Sequence, residues 1–292
     1  MMNFNSSFFV RAAKRLGCIM LLLCVLAEGW LVVGVRVGAE PPTVREYAIE
    51  SDKISSPVRI VMLSDLHGCD HPTLAEQVDE LDPDLILLCG DMIDRDHETG
   101  EDVLVTASLV KRLCEIAPVY YSLGNHELER IGLHERDAVD RIIAEGAILL
   151  NSDYTDIEIN GNSLRLGGLY TPNYPHISNP ASDALSEFLS DFCDTDSFRI
   201  LMEHRPKSFS DEIFPAGYEP ELVLSGHLHG GHVILPVLGP VYGANMGFFP
   251  NYALGRFKLG ASELIVSAGL STERHIIPRL NNPTEITFIV LE

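Results

Sequence analysis

Three continuous apolar runs restrict what this chain can fold into. VRIVMLSD starts at Val58, DLILLCGD at Asp84 and VYYSLGNHE at Val119. Between them lie HPTLAEQVDELDP and GEDVLVTASLVKRLCEIAP, whose apolar residues recur at helical spacing; Pro118 ends the second. Runs that are apolar at every position are buried on both faces, as strands of a parallel sheet are when crossover helices cover them. This βαβαβ alternation commits the chain to an α/β fold. Beyond a helix expected from Glu135 to Glu145 the strands become shorter: YTDIEI, SLRLGGLY, FRILMEH, ELVLSGH, HVILP, SELIVSAG and TEITFIVLE. One more helix, Ala181 to Asp191, sits among them. The expectation is one α/β domain of two sheet-rich halves, residues 58–292.

Each apolar run closes on a polar cluster. SDLHG supplies Asp65 and His67, GDMID supplies Asp91, and GNHE supplies Asn125 and His126. FRILMEH ends at His204, and ELVLSGHLHGGH carries His227 and His229. Carboxyl ends of parallel strands are where α/β folds place their sites. A single Gly-Asp or a lone histidine after a strand is an ordinary turn or core residue; five such clusters, each closing an apolar run, point to one site. His126 aside, the set holds two Asp, one Asn and four His. These oxygen and imidazole donors suit Zn²⁺, Mn²⁺ or Fe. Seven donors exceed what one metal can use while leaving room for substrate. If one Asp bridges, they divide into four ligands on each of two metals, the clamp used for phosphoryl displacement. His227 and His229, two apart in an extended segment, present both imidazoles to one side with Leu228 turned away. His71, His97, His134, His176 and His275 lack a strand-end context and read as structural or solvated.

The formal net charge is −21, with no basic cluster, which argues against nucleic acid as a partner. Accepting a phosphate ester in so acidic a protein calls for local positive charge, and metal cations supply it. Six scattered cysteines form neither a disulfide framework nor a CxxC motif. At the amino terminus, Arg11, Lys14 and Arg15 precede an apolar run from Leu16 to Val37. Its length fits a membrane span with the basic flank in the cytoplasm. The expected organisation is an anchor over residues 1–38, a proline-bearing linker with one edge strand over 39–57, and the α/β domain beyond. The expected location is the cell membrane, single-pass, with residues 58–292 extracytoplasmic. Secretion after cleavage before Glu28 is the alternative.

In order and spacing, DLH, GDMID, GNHE, HRP and SGHLHGG resemble the signature blocks of the calcineurin-like metallophosphoesterases, from Arg59 to the carboxyl terminus. The resemblance implies a four-layer α/β/β/α sandwich of two mixed sheets with a dimetal centre between them. By motif, Asp65, His67 and His229 would hold one metal, Asn125, His204 and His227 the other, and Asp91 would bridge. A metal-bridging hydroxide would attack phosphorus in line. His126 would contact the phosphate and protonate the leaving group, Glu127 would orient it, and Asp94 would stand behind the ligands. The tail resembles a branch of small bacterial enzymes with an amino-terminal membrane segment or export signal. Here Leu228 and His232 depart from that branch's Thr and Gln, and Tyr170, Asn173 and Tyr174 stand where a different substrate pocket would be shaped.

The function expected is therefore a dimetal phosphoester hydrolase, a phosphodiesterase or phosphatase acting on a lipid-linked or envelope phosphate ester. A broad phosphomonoesterase and a catalytically silent, membrane-anchored metal-binding module are the alternatives. The cofactors expected are two divalent ions, Mn, Zn or Fe.

Overall fold

The computed structural model describes residues 41–95, 100–132, 137–169, 181–243, 246–272 and 279–292, together with Met20, Gly29 and Gly34. The first sheet uses β1 (Thr43–Ile49), β2 (Val58–Leu63), β3 (Leu85–Cys89), β4 (Val119–Ser122), β5 (Ile148–Leu150) and β16 (Glu285–Leu291), ordered β1-β16-β2-β3-β4-β5. β2 to β5 are mutually parallel, as the apolar runs require, and β16 enters antiparallel to β2. The second sheet is β14-β15-β9-β8-β7-β6, built from β6 (Asp153–Ile159), β7 (Asn162–Leu169), β8 (Phe198–Glu203), β9 (Leu222–Ser225), β14 (Gly255–Leu259) and β15 (Ser262–Val266). Its four central strands are parallel, and antiparallel β6 and β14 close its edges.

Alternation along the strands divides the core into layers. Ile60 and Met62 of β2 face Leu164, Phe198, Ile200, Leu222 and Ile265 of the other sheet. Val61 and Leu63 turn outward onto helices α1 (Leu74–Glu80), α2 (Glu101–Cys114) and α4 (Asp137–Ile143). On the far side, Leu201, Val223 and Leu264 pack with Leu189 and Phe192 of α5 (Ala181–Cys193). The result is the α/β/β/α sandwich of two mixed sheets. Thr73 stands at the N-cap of α1 without a side-chain capping bond.

β1 lies in the segment read as a linker and runs parallel to β16 over its whole length, covering that strand's edge. The chain also forms helix α3 (Asn125–Gly132) directly from GNHE, and two small hairpins, β10–β11 (Ile234–Leu235, Gly239–Pro240) and β12–β13 (Tyr242–Gly243, Gly247–Phe248). HVILP was expected as one longer strand. Prolines at 236 and 240 with Gly239 confine pairing there to two residues. The four cysteines of the described domain are free. No helix among the described residues is long and apolar enough to cross a membrane. Apart from its three described positions, the run Leu16 to Val37 lies outside those residues, as do His97, His134, His176, His275, Tyr170, Asn173 and Tyr174.

An ion cluster ties the strand starts opposite the site. Both guanidinium edges of Arg199 on β8 reach Glu221, from Nε to Oε2 and from Nη2 to Oε1, each at 2.8 Å. Lys53, from the β1–β2 connection, approaches the same carboxylate at 2.8 Å. Burial alone would raise the Glu221 pKa, but Arg199 and Lys53 outweigh it and hold the carboxyl at about 2, below its usual 4.5. A pKa depressed by folding contributes stability above the unfolded value, and that contribution is lost as pH falls through the folded one. Between pH 4.5 and 2, the urea midpoint of the wild type should therefore fall more steeply than that of Glu221→Gln. Parallel curves would mean that the pair contributes nothing to acid stability.

Candidate metal centre

The carboxyl ends of both sheets meet at one edge, and every strand-end residue singled out from the sequence arrives there. Asp65 and His67 follow β2, Asp91 follows β3, Asn125 opens α3 after β4, His204 follows β8, and His227 and His229 follow β9. All seven are buried. Asp65, His67, Asp91, His227 and His229 adopt positive φ, between 46° and 71°. Non-glycine residues rarely occupy this region, and each instance costs on the order of 1–3 kcal/mol, so the surrounding structure must enforce it. The backbone does so by lacing the loops together. The Asp65 amide donates to the Gly90 carbonyl at 3.0 Å, His67 to Asp91 at 3.0 Å and Gly226 to His204 at 3.0 Å. Asp65 Oδ1 accepts the His227 amide at 2.9 Å, and Asp91 Oδ1 accepts the His126 amide at 2.8 Å. Two glycines permit such proximity. A Cβ at Gly226 would stand 2.2 Å from Asp65 Oδ2, and one at Gly124 would stand 2.2 Å from Asp91 Oδ1.

Two triads result, Asp65–His67–His229 and Asp91–His204–His227, each with its donor atoms within 4.8 Å of one another. Asp91 Oδ2 lies between them, 3.0 Å from His204 Nε2 and 4.0 Å from His67 Nε2. The donors fit a metal pair by a direct test. Asn125 Oδ1, His204 Nε2 and His227 Nε2 are buried and make no hydrogen bond, an arrangement that protein interiors avoid unless another partner completes it. His204 Nε2 is near Asp91 Oδ2 but out of line for a hydrogen bond. His204 Nδ1 donates to the Cys89 carbonyl at 2.8 Å, which turns Nε2 into the cleft. The charges are strongly coupled. Burial raises the Asp65 pKa, whereas Asp91, also penalised by burial, is drawn below the usual range by His204. Burial likewise opposes charge on His204, yet Asp91 and Asp65 lift it to about 10. Burial and the neighbouring His204 press His227 down to about 3.

His126 sits at the rim. Its Nδ1 lies 2.6 Å from Asp94 Oδ1, and the Arg95 amide approaches the same nitrogen at 3.2 Å. Burial works against its charge, but Asp94 and Asp91 raise its pKa. Nε2 points inward, 4.0 Å from Asp91 Oδ2. The carboxylate that steadies His126 is thus Asp94, not Glu127. Asp94 is itself clamped by a buried ion pair between Arg130 and Asp102: Arg130 Nη1 donates to the Asp94 carbonyl at 2.9 Å, and Asp102 Oδ2 accepts its amide at 3.0 Å. Glu127 is fully buried and accepts the amides of Asp91 (2.9 Å), Met92 (2.6 Å), Ile93 (3.3 Å) and Gly124 (2.7 Å), plus the Tyr121 hydroxyl at 2.7 Å. It holds the Asp91 loop in shape.

Two neighbours were not legible in the sequence. His232 is buried with its ring stacked 5.4 Å from that of His229. Buried Arg279 donates from Nε to the Ser271 carbonyl and from Nη2 to that of Ala268, both at 2.7 Å, fixing the loop that passes behind Asp65. Neither side chain closes an apolar run, the only sequence signal that found the others.

The Glu127 cluster is directly testable. Glu127→Gln sets an amide NH₂ among backbone donors and should lower stability by about 2–4 kcal/mol. Tyr121→Phe, which removes one donor from a carboxylate that keeps the others, should cost about 1 kcal/mol. Urea denaturation of the metal-free chain measures both, and a Gln variant as stable as the wild type would contradict this role.

Comparison with known proteins gives the site its context. The sequence model of the calcineurin-like phosphoesterases matches residues 58–231. The chain is 28% identical to the uncharacterized metallophosphoesterase YkuE of Bacillus subtilis (strain 168) over 91% of its own length and 93% of the relative's. It is 25% identical to a transmembrane protein with metallophosphoesterase domain from Danio rerio, over 93% of this chain and 62% of that one. Among solved structures, the phosphopantetheinyl hydrolase of Mycobacterium tuberculosis superposes with a TM-score of 0.46 at 13% identity, over 74% of this chain and 92% of that one. The family match spans more than half of the 292 residues and contains all seven strand-end donors, together with the strands they follow. This chain belongs to the calcineurin-like phosphoesterases, metal-dependent hydrolases of phosphoester bonds that use two divalent metals.

Proposed function

We propose that the chain hydrolyses phosphoesters at a dimetal centre, with Asp65, His67 and His229 on one ion, Asn125, His204 and His227 on the other, and Asp91 shared. The observation that carries this reading is the place of Asp91 Oδ2, in reach of His204 from one triad and His67 from the other. Two divalent cations held there supply Lewis acidity and lower the pKa of a coordinated water. The chain's own groups do the rest. Backbone bonds from the His227 and His126 amides orient Asp65 and Asp91 before any substrate arrives, so no reorganisation is needed during reaction. Asp94 and Asp91 favour the charged form of His126, and its Nε2 at the rim would give a proton to the leaving oxygen.

The substrate class is a lipid-linked or envelope phosphate ester. The apolar run Leu16 to Val37 with its basic flank supports that class, as does likeness to a relative named as a transmembrane protein. We place residues 1–38 as a membrane anchor, 39–57 as a linker that includes β1, and 58–292 as the phosphoesterase domain on the extracytoplasmic side.

The full chain loaded with Mn²⁺ should hydrolyse bis-p-nitrophenyl phosphate and lose turnover on chelation; activity surviving exhaustive metal removal would sink the reading. His126→Ala should keep its metal content while turnover falls about 10²- to 10⁴-fold. Asp91→Ala should lose metal, measured by elemental analysis. A carboxyl-terminal reporter active in the cytoplasm would overturn the topology.

A further inference from the structure

Directly after His227 and His229 the chain does something unusual for so acidic a protein. From Leu222 to Gly255 it contains no Asp, Glu, Lys or Arg, although the whole carries a net charge of −21. Its outer part forms the hairpins β10–β11 and β12–β13. Eight large hydrophobic side chains are exposed among the described residues, and four belong to these hairpins: Val237 (105%), Leu238 (65%), Phe248 (75%) and Phe249 (55%). Scattered exposed apolar residues are normal, but a cluster of them marks a contact surface.

Backbone conformation adds an independent sign. Val237 (φ 70°) and Phe249 (φ 54°) occupy the left-handed region. Turns usually put Gly or Asn there, and a β-branched residue is an outlier. The hairpins thus hold strained apolar side chains out in solvent, where a polar turn residue would relieve the strain and cover the tip.

The base of the hairpins meets the amino-terminal segment. The Ile234 amide donates to the Leu280 carbonyl at 3.0 Å, and the Asn281 amide donates to the Gly34 carbonyl at 3.1 Å. Gly34 packs so closely that a Cβ there would fall 2.4 Å from Leu280 Cδ1. Gly34 belongs, by sequence, to the apolar run Leu16 to Val37, and it meets the domain beside the base of the hairpins. We propose that the two hairpins seat in the interfacial layer of a lipid bilayer, with Val237, Leu238, Phe248 and Phe249 immersed. An uncharged, aromatic-bearing tip suits that layer, where amphipathic elements bury their apolar faces about 5–10 Å deep. Lipid fits better than a polar protein partner because the surface offers no charge to pair. Its base also adjoins Gly34, which the sequence places in an apolar run of membrane-spanning length.

Tryptophan fluorescence tests this without reference to catalysis. Trp30 is the sole tryptophan, so Trp30→Phe clears the background for single reporters in the full chain. Phe248→Trp and Leu238→Trp replace exposed side chains. Ile148→Trp, on the edge strand β5 at the opposite end of the first sheet from β1, is the control. In phosphatidylcholine vesicles, the hairpin reporters should emit at shorter wavelength, be quenched by brominated acyl chains and resist acrylamide; the control should do none of these. In the Phe248→Trp chain, adding Leu238→Asp and Phe249→Asp should abolish the bromine quenching while the chain stays on the vesicles. Hairpin reporters open to acrylamide and unaffected by brominated lipid would overturn the proposal. So would equal quenching of the control, or a blue shift that appears with cross-linked dimers and without bromine quenching, which would assign the patch to a second copy.

Discussion

The structure is organised around two carboxylates, Asp65 and Asp91, buried with imidazoles in a cleft between sheets. Removing a carboxylate from water costs several kcal/mol unless opposite charge compensates it. His204 compensates in part, which is why Asp91 stays ionised while Asp65, whose environment is dominated by burial, is pushed toward protonation. The remaining inward donors, His227 Nε2 and Asn125 Oδ1, find no protein partner. A pair of divalent cations balances both the charge and the orphaned lone pairs. The fold supplies that site at a stated energetic cost: five of the seven donors hold left-handed backbone conformations, a reservoir of strain that only a well-tied framework can sustain.

That framework consists of buried polar groups that never face substrate. Glu127 gathers four amides around the Asp91 loop, Arg279 braces the carbonyls behind Asp65, and the Arg130–Asp102 pair grips both the amide and the carbonyl of Asp94. The last of these has a chemical consequence. Asp94 contacts His126 Nδ1, so the buried ion pair fixes the carboxylate against which that imidazole rests. A half-satisfied network of this kind would be worse than an apolar core, and its completeness around Asp91 and Asp94 is what makes the strain affordable.

Much of this was legible in the sequence, for one physical reason. A parallel strand buried on both faces must be apolar throughout, so the polar residue that ends it stands out. That contrast singles out Asp65, His67, Asp91, Asn125, His204, His227 and His229, which the structure gathers at one edge, and the central strands follow from the same runs. What the pattern could not reach depends on partners distant in sequence. Glu127 adjoins His126 in the chain and looked like its orienting carboxylate, yet helix α3 turns it under the Asp91 loop and leaves Asp94 at Nδ1. The sequence offers an edge strand within the linker, but not its partner: β1 pairs with β16, some 240 residues away. His232 follows a glycine pair whose turn places its ring on that of His229.

One segment ties the chemistry to the surface. The chain that leaves β9 carries His227 and His229 into the cleft, turns at Gly230 and Gly231, and within a few residues becomes the uncharged hairpins. Gly231 is held tightly at that junction, since a Cβ there would fall 2.6 Å from Pro240 Cβ on β11. Asn282 donates to the carbonyls of both His229 and His232, so the ligand turn and the hairpin base share one brace. A load on the hairpins is therefore transmitted to the histidine turn through packed backbone, with no flexible linker between them. Whatever surface the hairpins rest on also sets the orientation of the metal cleft.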